Sequence, residues 1–109
     1  MDKRRCKLAC FVAYARYTVH PGDKQRFAEA INLYRVHAKA SAGNLYFYCS
    51  WGVADANTCI ISEGWIGEAA MDRHLGIEPV QNGLKTIIEC LRITGGRTTF
   101  FLVSKGGPS

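Results

Sequence analysis

Residues 8–19, LACFVAYARYTV, alternate as a β-strand does, and His20-Pro21-Gly22-Asp23 then stops the run and starts a helical repeat. On the strand, Leu8, Cys10, Val12, Tyr14, Arg16 and Thr18 share one face. Ala9, Phe11, Ala13, Ala15, Tyr17 and Val19 share the other. Past the turn, Phe27, Ile31, Tyr34 and Ala38 recur at helical spacing. They predict a helix over 23–41, with Asp23 as N-cap and Gly43 placed to end it. A switch from period two to period 3.6 rules out an all-α or all-β chain.

The switch recurs. NLYFYCSW, residues 44–51, puts Leu45, Phe47, Cys49 and Trp51 on one side and Tyr46, Tyr48 and Ser50 on the other. After the turn GVADAN, residues 57–65 place Cys59, Ile61, Glu63 and Trp65 on one face, and the short connection makes the two strands a hairpin. A short helix over 67–75 follows, broken by Gly76. A second helical piece, 78–91, carries the stripe Ile77, Val80, Leu84, Ile87, Ile88 and Leu91, and Gly95-Gly96 ends it. Residues 97–105, RTTFFLVSK, form the last strand. The order β-α-β-β-α-β defines an α+β, ferredoxin-like fold: a four-stranded antiparallel sheet with helices on one face and the second helix split. Tyr, Cys, Phe and Thr on both faces of the strands make a bare, solvated sheet face unfavourable. A partner subunit stacking its own sheet there is the simplest cover.

With 109 residues, the chain makes one domain, over 8–104, flanked by a basic tail at 1–7 and a short tail at 105–109. The net charge of +5 is concentrated in MDKRRCK, which contributes +3. A charged end of this kind reads as a solvated tail. No basic stripe interleaves with aromatics, so nucleic acid is not an expected partner. The five cysteines form no CxxC and complete no zinc spacing, so no metal is expected; scattered in apolar segments, they read as small hydrophobes in a reducing compartment. No segment approaches the roughly 20 apolar residues of a membrane span. A cytoplasmic protein that does not engage a membrane is the expectation.

Three stretches carry a family resemblance. ARYTVHPGDKQRFAEAI resembles the opening strand, Pro-Gly turn and helix of the antibiotic biosynthesis monooxygenase domain. AGNLYFYCSW resembles its second strand, and SEGWIGEAAMDRHL its Glu-x-Trp strand followed by a helix ending in His. The resemblance implies a dimeric α/β barrel built from two copies. The family includes cofactor-free oxygenases that turn phenols or hydroquinones into quinones, haem-degrading enzymes and small-molecule isomerases. Two departures stand out. Ala15 occupies the position of an Asn in haem-degrading relatives, and Val80, in Glu78-Pro79-Val80, the position of a second His in many relatives. Both argue against haem degradation and against a two-His mechanism.

The candidate catalytic residues are His74, Trp65 and Glu63. A histidine titrates near neutrality and suits abstraction of a phenolic proton. Trp65 could wall a ligand cavity and offer its indole N–H, or simply anchor helix to sheet. Glu63 shares the Trp65 face; a buried acid needs a partner, and it could orient His74 or pair with an Arg. Tyr48, Tyr14, Arg16 and Arg73 are candidate substrate-binding residues, with Tyr46 and Tyr17 as further phenols. His20 and His37 look exposed and receive no role. No dinucleotide or phosphate-loop motif is present, so no cofactor is expected. The expected reaction holds an electron-rich aromatic between sheet and helices and oxidises it with O2 to a quinone. A non-catalytic dimeric binding or stress protein on the same fold is the alternative.

Overall fold

The computed structural model describes residues 9–92 and the backbone of 97–105. The basic tail, Gly95-Gly96 and the last four residues lie outside the described residues. The elements are β1 (Ala9–Thr18), a 3-10 turn (Pro21–Asp23), α1 (Lys24–Ala40), β2 (Asn44–Trp51), β3 (Thr58–Trp65), α2 (Glu68–Leu75), α3 (Glu78–Glu89) and β4 (Arg97–Lys105). The strands pair antiparallel in the order β2-β3-β1-β4. β1 is therefore central, flanked by β3 from Phe11↔Trp65 to Thr18↔Thr58 and by β4 from Ala9↔Lys105 to Tyr17↔Arg97.

The alternation of β1 resolves into a helix-facing side and an open side. Phe11, Ala13, Ala15, Tyr17 and Val19 are buried under the helices, as are Phe47 on β2 and Cys59, Ile61, Glu63 and Trp65 on β3. Phe27, Ala30, Ile31, Tyr34 and Ala38 are the stripe that α1 lays on them. Phe27, fully buried, meets the edges of Tyr17 and Trp51 at 5.7 and 5.6 Å between ring centres. An Arg26–Glu89 ion pair ties α1 to α3 at the surface.

Local details differ from the pattern in the sequence. Asp23 stands at the N-cap of α1 without a side-chain cap bond; instead His20 Nδ1 accepts from the Gly22 amide at 3.1 Å and caps the preceding turn. The β2–β3 register shifts between Asn44 and Tyr46, so Leu45 is the extra residue of a bulge and lies half exposed rather than on the buried face. The α3 stripe is narrower than its apolar content: Val80 and Ile87 are buried, but Ile77 and Ile88 are exposed. Extended backbone at Ile77 and Pro79 in the first turn of α3 separate it from α2.

Gly43 does the most to position the site. Its φ of 89° is open to glycine, and a Cβ there would stand 2.7 Å from that of Ala70. This close approach seats the α1–β2 turn on α2. The Ile66 amide locks it by donating to the Gly43 carbonyl at 2.8 Å.

Candidate functional site

β3 ends in Ser62-Glu63-Gly64-Trp65, and its pleat sends Glu63 and Trp65 to the same side, under the helices. α2 then turns Ala70, Met71 and His74 inward at helical spacing. Tyr34 comes down from α1 between them. Glu63, Trp65, His74 and Tyr34 thus converge from three elements, each no more than 5% exposed.

The carboxylate of Glu63 is held at both oxygens. Tyr34 Oη donates to Oε2 at 2.8 Å, and Trp65 Nε1 donates to Oε1 at 3.0 Å. Burial raises the Glu63 pKa above the usual carboxylate range, and the two donors pull the other way without cancelling it. The His74 ring stacks on Trp65, with centres 5.0 Å apart, and takes the edge of Tyr34 at 4.8 Å. Glu63 therefore orients the two rings that clamp the imidazole. Its described bonds go to Tyr34 and Trp65.

His74 is 1% exposed. Its Nδ1 lies 3.4 Å from Ser41 Oγ, whose hydroxyl in turn donates to the His37 carbonyl at 2.8 Å. Its Nε2 is buried and has no hydrogen-bond partner among the described residues. Burial, with a smaller push from His37, lowers its pKa to about 4. The ring is therefore neutral at pH 7, with one nitrogen unpartnered among the described residues. A buried polar atom left unpaired costs about 1–3 kcal/mol, so its retention calls for a reason.

Space is distributed unexpectedly. The void between sheet and helices beside Glu63, Tyr34 and Leu84 is about 10 Å³, room for one water. This void is too small for an aromatic. A cleft of about 270 Å³ opens instead on the outer side of His74, lined by His37, Ser41, Ala70, Arg73 and Ile77 among others. His37, far from being an exposed helix residue, is half buried at this cleft. A larger groove of about 590 Å³ runs along α1 beside Lys24, Glu29 and Trp51. It holds none of the buried polar groups, so the smaller cleft is the better candidate. Among the described residues no three His, Cys, Asp or Glu side chains gather as a metal site.

The remaining candidates separate. Arg73 is exposed at the cleft rim. Tyr14 and Arg16 lie on the open side of β1, across the sheet from His74, with Arg16 exposed. Tyr48 is 68% exposed on the same open side, where its ring stacks on Tyr46. These three do not join the Glu63–Trp65–His74 cluster. Tyr34 and Ser41 do, and sequence reading missed both: Tyr34 looked like one more member of an apolar stripe, and Ser41 like a helix end.

The sequence profile of the antibiotic biosynthesis monooxygenase family matches residues 10–85, which hold all five clustered side chains. The chain belongs to this family. No curated protein sequence matches it at a significant level. Among solved structures it is similar to Rv0793 from Mycobacterium tuberculosis, at 17% identity and a TM-score of 0.79, over 92% of this chain and 99% of that one. It is similar to a conserved protein from Methanosarcina mazei, at 18% identity and a TM-score of 0.76, over 94% and 96% of the two chains. SnoaB from Streptomyces nogalater, a cofactor-independent oxygenase solved as a point mutant, aligns at 11% identity and a TM-score of 0.76, over 88% and 93%. At these identities the structural likeness establishes the shared α+β, ferredoxin-like fold. Within the family frame Ala15 and Val80 are both buried beneath the helices, so the two departures noted in the sequence are filled by core side chains. Among the described residues no helix is long and apolar enough to cross a membrane.

Proposed function

We propose that this family member is a cofactor-independent monooxygenase that oxidises a small phenolic or hydroquinone-type aromatic to a quinone with O2. One observation carries the reading: a buried, neutral imidazole, its Nε2 without a hydrogen-bond partner among the described residues, clamped between Trp65 and Tyr34 beside an open cleft. The family profile and the likeness to a cofactor-independent oxygenase support it. The cleft is slightly below the size of sites for drug-sized ligands, which favours a mono- or bicyclic phenol over a larger polycycle.

In this mechanism Arg73 and Ser41 orient the substrate at the cleft, and a small rotation brings its hydroxyl to His74. The imidazole takes the phenolic proton. The imidazolium so formed is short-lived, because burial disfavours it; it faces the π-face of Trp65, whose orientation Glu63 fixes. The phenolate passes one electron to O2, and the radical pair recombines to form a C–O bond. Proton return and O–O cleavage leave the quinone. One oxygen atom ends on carbon and the other leaves as water.

Oxygen uptake by chelator-treated protein against a panel of hydroquinones, naphthols and anthrones tests this. Protein-dependent uptake with one quinone formed per O2 is expected. The narrowness of the void beside Glu63, among the described residues, favours a second reading, a non-catalytic small-ligand-binding protein. Thermal stabilisation by panel compounds without any oxygen consumption would establish that reading and exclude the first.

The proposal includes a homodimer formed through the open sheet face, as in a dimeric α/β barrel, and a cytoplasmic location, which suits the free thiols. The exposed Tyr48 and the half-buried Val12, Tyr14 and Ile60 on that face supply an apolar surface for a second copy. Light scattering at micromolar concentration is expected to report twice the chain mass. A monomer overturns this part.

A further inference from the structure

We infer that Cys49 and Cys59 form a redox-active pair, in which the exposed Cys49 reacts with hydroperoxides and the buried Cys59 resolves the product to a disulfide joining β2 to β3. The inference does not depend on the oxygenase reading.

The geometry is specific. In the β2–β3 register Cys49 lies opposite Ile61 and Cys59 opposite Trp51, so the cysteines are diagonal neighbours on the helix-facing side of the sheet. Their sulfurs are 3.4 Å apart. A disulfide bond is about 2.05 Å long, so closure needs an approach of roughly 1.4 Å. β2 is an edge strand, bonded to the sheet along one side, and can supply that movement. Access is asymmetric: Cys49 is exposed, whereas Cys59 is fully buried. An oxidant in solution meets Cys49 first, with the Cys59 sulfur 3.4 Å away.

The electrostatics agree. The sulfur–sulfur contact, in which the Cys59 thiol can donate to a Cys49 thiolate, lowers the Cys49 pKa to about 7, with help from the Arg35 guanidinium on α1 and against the effect of burial. The same contact and burial push the Cys59 thiol up. A substantial thiolate fraction at neutral pH therefore resides on the exposed sulfur, the arrangement a reactive cysteine requires.

The steps balance. The Cys49 thiolate attacks the terminal oxygen of a hydroperoxide, the O–O bond breaks, and Cys49 becomes a sulfenic acid. The alkoxide (hydroxide, for hydrogen peroxide) leaves, takes the proton that Cys49 had released to solvent, and departs as the alcohol (or water). Cys59 sulfur then attacks the sulfenic sulfur, the S–O bond breaks, and the hydroxyl departs with the Cys59 proton as water. Two thiols are oxidised and the peroxide is reduced by two electrons.

Peptide mass mapping of the reduced full-length protein after treatment with near-stoichiometric hydrogen peroxide tests the assignment. The expected product is an intrachain link between the Cys49 and Cys59 peptides, two hydrogens lighter and restored by dithiothreitol. Cys59→Ser is expected to stop at a Cys49 sulfenic acid that dimedone labels, and Cys49→Ser to leave Cys59 unmodified. Mapping on the unaltered chain decides the matter even if a variant folds poorly. Links confined to other cysteines or to a second chain, or a Cys49 that stays reduced, overturn the inference.

Discussion

Oxygen uptake with an accepted quinol is expected to fall about 10²–10⁴-fold in His74→Gln, the range that a positioned general base contributes. The variant keeps a neutral polar side chain of similar size but cannot accept a phenolic proton. In the unaltered protein the imidazole is already deprotonated at neutral pH, because burial lowers its pKa to about 4. Activity limited by this base is therefore flat across the neutral range. It is lost as pH falls through about 4, where the ring takes up a proton from solvent and no longer has a lone pair to offer. The acid limb of kcat/KM reports that group in the free enzyme. His74→Gln should lose the limb together with the rate. Circular dichroism of the variant separates this from unfolding. Native-like spectra with undiminished uptake would falsify the base assignment.

Trp65→Ala is expected to destabilise the domain by about 3–5 kcal/mol, the usual cost of removing a large aromatic from a core. Trp65 is fully buried, stacks on His74 and supplies one of the two donors to Glu63. Trp65→Phe divides that cost. It keeps most of the ring volume and removes the N–H, leaving Glu63 with Tyr34 as its donor among the described residues; a buried acceptor that loses a donor costs about 1–3 kcal/mol. Urea midpoints of the three proteins give both numbers. If Trp65→Ala costs under about 1 kcal/mol, the indole is not the anchor described here.

How much of this was legible beforehand can be seen residue by residue. Element order followed from hydrophobic period, because a strand and a helix bury different spacings of one sequence. β2 and β4 span 44–51 and 97–105 as the alternation indicates. Glu63 and Trp65 could be assigned to one face from strand geometry alone, and His74 to the next element. The orientation of each sheet face was not legible, since Phe11 and Tyr17 on one side of β1 look no more apolar than Val12 and Tyr14 on the other. Tyr34 shows why site membership is harder to read than burial. Its ring fits an apolar stripe, while its hydroxyl, which makes the bond to Glu63, has no signature in the periodicity. The cleft depends on a backbone approach at Gly43 that no side-chain pattern announces.

The hairpin turn at 52–57 lies at the opposite end of β3 from Trp65. Seven residue steps of extended chain put about 23 Å between its base and the indole. Val53 at its tip is fully exposed, and Ala54, Asp55 and Ala56 are exposed beside it. Exposed loop tips of this kind accept insertions. A fluorophore or surface tether placed at Val53 therefore stands clear of the His74 cleft, and the protein can be immobilised on an electrode by this turn with its cleft unobstructed.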